Sequence, residues 1–483
     1  MKKIIAKALT LLAVLALIGS FASCGGKKSK KVISIYRCTF NLASPDASEV
    51  KAVETAINAY LTKKGAGYTV ELNDIGSGEY TDKANLALKG GEVNLLWTAS
   101  WESTIGTNDL YKEGSAYDLT NLIKGSALEK ALPAWVWPAS AYDGKTLYVP
   151  CYKESAEGYD LMYRTDLVNK YGWDINSVKS LKDIEPFLAD CKKEGLKYPY
   201  LTQKTAMFYR WYLDDFDFFS QDSFMAVDRN KNEVVDSILT PQYAEFATLM
   251  GDWHAKGYLH EDDATKQTTD TTTQTKDWGI SWWTCVPNDE EADSRYGQSV
   301  ETVSLTNRFS HSTTTLGSCF AVASNCTEEE AKACVDFLGR LYTDKELADL
   351  YTFGIEGTDY TRENGVVVKQ GDKYNHSMWE SASVLCLSLE KGEPANKVEL
   401  YEKFNNGSDA SVASGFRFNS TPVSAEYAAC QTVFQEYGFI LENGGVAPNK
   451  VADQIKAYQK ALDEAGYQKV LAEAQKQYNA WKK

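Results

Sequence analysis

The chain has 483 residues, with 51 lysines and arginines against 66 aspartates and glutamates, a formal charge of -15 at neutral pH. No lysine- or arginine-rich stripe is present to meet phosphates, which excludes a nucleic-acid binder built on a basic face. The length exceeds what one core accommodates, so two lobes are expected, and ten cysteines without a single C-x-x-C pair exclude a dithiol redox motif or a zinc ribbon.

Lys2, Lys3 and Lys7, the apolar run Ala8 to Ile18 and the small residues Gly19, Ser20, Ala22 and Ser23 have the three-part layout of a secretory signal, so residues 1–23 are expected to be removed. That run is short of the roughly 18 apolar residues of a spanning helix, and no later segment approaches them. Phe21-Ala22-Ser23-Cys24 resembles the lipobox of bacterial lipoproteins, with Phe21 where leucine is usual; the resemblance implies that Cys24 carries a diacylglyceryl group and becomes the first mature residue. Two acyl chains hold a protein firmly to a membrane where one holds it marginally. Residues 24–31 then read as a lipidated tether whose lysines lie against anionic headgroups. The alternative is ordinary cleavage that leaves Cys24 a plain thiol. Beyond it the cysteine count is odd, which suits buried thiols better than a disulfide framework, with a single Cys319–Cys326 bridge as the alternative.

Val32 to Tyr36 is a strand candidate, and Glu49 to Lys63 places Val50, Val53, Ile57, Tyr60 and Leu61 on one helical face. Tyr68 to Ile75 alternates as a strand, Gly76-Ser77-Gly78 reads as a turn, Asp82 to Lys89 as a helix and Val93 to Trp97 as a third strand. This alternation predicts right-handed βαβ units around a mostly parallel sheet. Asp143-Gly144 is a tight turn, the strand Thr146 to Val149 ends at Pro150, and Asp160 to Lys170 opens a new segment, so a crossover between lobes is expected in the interval. Thr240-Pro241 opens a helix with a hydroxyl cap and an N1 proline, and Thr327-Glu-Glu-Glu330 is a capping box for a helix through Leu341. Lys266 to Lys276, polar and threonine-rich, reads as a loop or an irregular helix, and the end of the chain, closing LAEAQKQYNAWKK, is strongly helical.

Catalytic motifs are missing. There is no G-x-S-x-G elbow and no phosphate loop, and His260-Glu261 is followed by Ala264 where a zinc-protease helix needs its second histidine. Asp228-x-Asn230-x-Asn232 imitates a calcium loop, but Glu233 replaces the obligatory glycine and Leu239 the closing glutamate, so a hairpin turn is expected. The sequence therefore points to no catalytic residue, metal or cofactor. Tryptophans stand out instead. Trp97 and Trp101 flank the end of the third strand, and Trp282 and Trp283 end the run from Trp278. Ligands of open α/β sheets bind beyond the carboxyl ends of strands, so these four are candidate cleft residues, Trp101 and Trp283 foremost. A pyranose offers apolar C–H faces to indole rings and a rim of hydroxyls to groups such as Glu79, Glu102 and Asn288. Trp211, with Asp214, Asp215 and Asp217 after it, is a further candidate for the second lobe's face, against a solvated acidic turn. Trp135 and Trp137 read as lobe packing, and plain core burial competes for every tryptophan.

Tyr142-Asp-Gly-Lys-Thr-Leu-Tyr-Val-Pro150, Tyr163-Arg-Thr-Asp-Leu-Val-Asn-Lys-Tyr-Gly172 and Leu249-Met-Gly-Asp-Trp-His-Ala-Lys-Gly-Tyr258 resemble the extracellular solute-binding proteins of ABC importers, the group that includes maltose-binding protein. Tyr351-Thr-Phe-Gly-Ile-Glu-Gly357 and the stretch Ala461 to Trp481 are similar to LipO-like lipoproteins, whose C-terminal region is a domain of unknown function. The resemblance implies a two-lobed periplasmic-binding-protein-like α/β fold, each lobe a mostly parallel sheet flanked by helices, with a helical C-terminal region. Lobe 1 would take residues 32–152 and about 314–385, and lobe 2 residues 153–313 and about 386–483. The first crossing would fall near Pro150-Cys151-Tyr152, with Tyr152 among the ligand-binding candidates, and a second near Thr315 to Phe320. It further implies a monomeric sugar receptor, lipid-anchored on the extracytoplasmic face of the membrane, that closes on its solute and delivers it to ABC permease subunits. A receptor for peptides or other solutes on the same fold is the main alternative. A surface glycoside hydrolase, which needs two carboxylates at a set spacing, and an adhesive lipoprotein are the others.

Overall fold

The structure, a computed structural model, describes residues 31–220, 222–265, 276–287, 298–310 and 312–482. The signal, Cys24 and all of the tether but Lys31, Asn288 and nearly all of the loop or irregular helix expected at 266–276 lie outside them. β1 (Lys31–Thr39) pairs in parallel with β2 (Tyr68–Gly76), Ile35 opposite Leu72. Between them α1 (Ala47–Lys63) begins where the Asp46 side chain accepts from the Ser48 and Glu49 amides, and it turns Val50, Val53, Ile57, Tyr60 and Leu61 inward. α2 (Ser77–Gly90) follows β2 directly, so the stretch that reads as a turn is a helix start. Gly76 is needed there, because a Cβ would lie 2.1 Å from the Ala43 carbonyl oxygen. β3 (Leu95–Thr98) lies parallel on the other side of β1.

The chain continues through β4 (Tyr148–Pro150), then β5 (Tyr159–Arg164), β6 (Tyr198–Leu201), α3 (Pro241–Ala255), β7 (Trp278–Thr284), β8 (Val300–Ser304) and β9 (Cys319–Val322). The first sheet has the order β2-β1-β3-β9-β4 and the second β8-β5-β7-β6. β9 is antiparallel to β3 and β4, and β5 is antiparallel to β7 and β8, while β7 is parallel to β6. Each sheet therefore has one reversed strand, the one by which the chain enters it from the other half. The remaining strands of both sheets aim their carboxyl ends at the crossing.

Two large hydrophobic cores form among the described residues. The first gathers residues between Ile33 and Tyr152 with residues between Leu316 and Tyr401. The second gathers residues between Tyr159 and Phe309 with residues between Phe416 and Tyr478. Leu387 and Tyr401 pack in the first core, whereas a division near residue 386 would place them in the second. α4 (Glu328–Leu341), opened by the Thr327–Glu330 capping box, covers the first sheet, and α5 (Ser424–Val433), α6 (Val451–Glu464) and α7 (Tyr467–Trp481) seal the second core with Cys430, Tyr458, Leu462, Tyr467 and Tyr478. Between the cores, three short strands lie side by side: Ala156–Glu157, Phe309–Ser310 and Asp409–Ala410. The chain passes between cores three times, and Asn405 ties the third passage to the first, accepting from the Ser155 amide at 2.8 Å and donating to the Lys153 carbonyl at 2.9 Å.

The expected hairpin after Asp228 is present, its carboxylate accepting from the Asn230 and Lys231 amides. Cys319 and Cys326 are separate buried thiols, the first within β9 and the second beyond its end. Among the described residues no helix is long and apolar enough to cross a membrane, and no three histidine, cysteine, aspartate or glutamate side chains converge as metal ligands.

Candidate functional site

At the carboxyl ends of β1 and β3 four aromatic rings meet. Phe40 lies 5.4 Å from Trp97, 5.9 Å from Trp101 and 4.8 Å from Trp379, centroid to centroid. Trp97 is buried, its indole N–H donating to Ser318 Oγ at 2.9 Å, and forms the floor. Trp101 stands on it, half exposed, with its N–H donated to the Gly317 carbonyl at 2.6 Å. The polar edge of that indole is thereby committed to the protein while part of its apolar surface stays open. Gly106 permits the tight loop that carries Trp101, since a Cβ there would sit 2.1 Å from the Glu102 carbonyl oxygen. Glu102 flanks the platform and accepts from Thr81 Oγ1 at 2.9 Å; burial pushes its carboxyl up, and the bonds from Thr81 and the Ser103 amide pull it back.

Trp379 reaches this cluster from far along the chain, on the short helix Met378–Ser381, which closely follows a residue of a buried ionic network. Arg37 clasps Asp74 with two bonds of 2.7 Å, and Asp74 meets His376 Nε2 at 2.8 Å. Burial and the Arg37 charge push the His376 imidazole down, but Asp74 and Glu380 more than offset them and raise it above the ordinary value.

On the second sheet, Trp282 is partly buried, its N–H donated to the Thr202 carbonyl at 3.0 Å and its ring covered by the Arg210 guanidinium at 3.8 Å. Trp283 faces the other side of β7, as strand alternation requires, and is buried with Met162, Tyr198, Leu201, Trp278 and Val300.

Two adjoining cavities open between the cores. One, of about 230 Å³, is lined by Asn108 and Lys112 from the first half, by Glu157, Tyr209 and Phe218 from the second, and by Thr313 beside the crossing, whose carbonyl accepts from Ser100 Oγ next to Trp101. The other, of about 740 Å³, lies between Tyr111 and Tyr142 on one side and Gln477 and Trp481 on the other. Phe416, Arg417 and Phe418 border both. Arg417 stacks on Tyr142, 4.4 Å from the ring centroid, so a C-terminal guanidinium rests on a ring of the first core.

The residues singled out from the sequence divide as follows. Trp101 and Glu102 come together on the aromatic platform, above Trp97. Trp97, Trp283, Tyr152 and Trp211 are buried as core packing, and Tyr152 and Trp211 keep their rings inside the first and second cores. Trp282 is covered by Arg210. Glu79 projects to solvent on α2, paired with Lys83 at 2.5 Å. None of these lines either cavity. The seam residues Tyr142, Arg417 and Trp481 and the platform residue Trp379 escape sequence reading; Ser377-x-x-Glu380 is a capping box visible in the sequence, yet nothing local places it beside Trp97.

Residues 55–358 match the family described as bacterial extracellular solute-binding protein, and residues 412–483 match a domain of unknown function, DUF3502. The chain belongs to the bacterial extracellular solute-binding proteins. A protein of Streptococcus pneumoniae serotype 4 described as a carbohydrate ABC transporter substrate-binding protein is 26% identical to it over 97% of each chain. The crystal structure of NgtS, an N-glycan transport solute binding protein from the same species, superposes with a TM-score of 0.79 at 22% identity, covering 93% of this chain and 99% of that one. NgtS in complex with Man5GlcNAc superposes at 0.68 and 22% identity, covering 94% and 98%. At that identity the likeness is one of fold.

Proposed function

We propose that this chain is the substrate-binding component of a carbohydrate ABC importer, which holds an oligosaccharide between its two halves and hands it to permease subunits. The observation that carries the reading is the seam itself: cavities walled by both cores beside three paired chain passages, with an open indole platform adjacent. Aromatic walls suit the C–H faces of pyranoses, and Asn108, Gln477 and Glu102 suit hydroxyls. On this reading lobe 1 comprises residues 32–152 with about 314–405, lobe 2 the rest, and the three crossing strands act as the hinge. The protein works outside the cytoplasm as a monomer held to the membrane by a diacylglyceryl group on Cys24. Its task is capture and release, as in its family, and involves no bond cleavage.

The test is a thermal-shift screen of residues 32–483 against mono- and oligosaccharides, amino acids and short peptides. A ligand at about 100 times its dissociation constant adds about 2.7 kcal/mol of stability, enough for a clear rise in Tm. A rise with one class of saccharide is expected; a rise with peptides or amino acids alone would replace the sugar with another solute.

A further inference from the structure

The acidic chain carries an unbalanced pair of cations at its seam. Every carboxylate lining the two cavities has a donor: Glu157 accepts from Tyr159 Oη at 2.6 Å, Asp217 pairs with Arg229 and accepts from the Ala413 amide at 3.2 Å, and Asp143 accepts from Tyr111. The two cations have no such match. Among the described residues Lys112 reaches only a neutral hydroxyl, Ser420 Oγ at 3.3 Å, and Arg417 has the Tyr142 ring beneath it. Neither forms an ion pair among the described residues, and Arg417 Nε and Nη2 are both buried with no hydrogen-bond acceptor. A buried guanidinium whose N–H groups lack acceptors costs free energy that a planar anion can restore with two parallel bonds.

We propose that Arg417, seconded by Lys112, forms a subsite for an anionic group on the captured saccharide, so that the ligand class is an acidic oligosaccharide bearing a carboxylate. This rests on the reading of the chain as a saccharide receptor and narrows it. It also gives the C-terminal region of unknown function a role: that region supplies the cation, and Tyr142 of the first core supplies the surface against which the cation is held. A carboxylate bound there bridges both halves and favours the closed arrangement.

The experiment is calorimetric titration with matched pairs, trigalacturonate against its methyl ester and sialyllactose against lactose. At least one acid is expected to bind about ten-fold or more tightly than its neutral counterpart, with that advantage shrinking as salt rises from about 20 to 500 mM. Arg417→Gln should abolish the preference and Arg417→Lys should keep part of it. The salt series on the unaltered protein stands even if a variant fails to fold. Neutral members binding as well as, or better than, both acids would overturn the anionic subsite while leaving the saccharide receptor intact. Binding of neither pair, together with a rise in the thermal screen for peptides alone, would overturn both.

Discussion

An indole whose N–H is satisfied and whose ring is partly open offers a ligand a dry surface without an unmet polar group. Trp101 has that form, bonded to Gly317 and half exposed, while Trp283 is closed in on the far side of β7. The same substitution should therefore act on different quantities. Trp101→Ala is expected to weaken saccharide affinity by roughly 1 to 3 kcal/mol, by calorimetry, with little change in melting temperature. Trp283→Ala is expected to cost about 3 to 5 kcal/mol of folding stability in denaturant titration, through a core cavity. The sequence shows both tryptophans at a strand end and stops there, because which face of a strand looks outward depends on what packs behind it. Glu442 gives a pH dependence of its own. Its Oε2 accepts from the Met207 and Phe208 amides at 2.7 and 3.0 Å; burial pushes its carboxyl up to about 8, against the pull of those bonds and of Arg210. A folded-state value raised above the ordinary carboxylate range means that the folded chain keeps the proton longer than the unfolded chain. The contribution is full below pH ~4 and is lost as pH rises through about 8. Glu442→Gln should thus lose less stability than the parent chain between about pH 5 and 9 in melting curves.

Single elements are written into the sequence wherever their signal is local. The Thr327–Glu330 box opens α4, with the Thr327 hydroxyl accepting from the Glu330 amide and the Glu330 carboxylate accepting from the Thr327 amide. Thr327→Ala should cost about 1 kcal/mol by denaturant titration, the usual worth of such a cap. The periodicity of α1 and the Thr240-Pro241 start of α3 are equally legible. Gly76-Ser77-Gly78 misleads because glycine and serine favour turns in isolation, whereas here close contact with Ala43 demands the glycine and the helix follows. The reversal of β5 and β9 carries no local signal at all: strand direction is set by where the chain comes from, and β9 arrives from the other core.

Across the whole molecule, the two halves and their first crossing follow from length, from the break after Pro150 and from the resemblance of the motifs around it. The third passage at Asp409–Ala410 and the seam around Arg417 do not, since they join residues some 270 positions apart, Tyr142 and Arg417, that share no pattern in the chain. The proposed site is therefore half legible: Trp101 and Glu102 stand out on reading, while the buried Trp97 beneath them, the approach of Trp379 and the opposite wall need the fold. Capture between two walls has a direct signature in backbone hydrogen exchange. With a saturating saccharide bound, amides in residues 99–106 beneath Trp101 and in residues 411–420 around Arg417 should both slow, as ligand and closure shield the two sides together. Slowing confined to one of these segments, or to neither, would contradict capture between the halves.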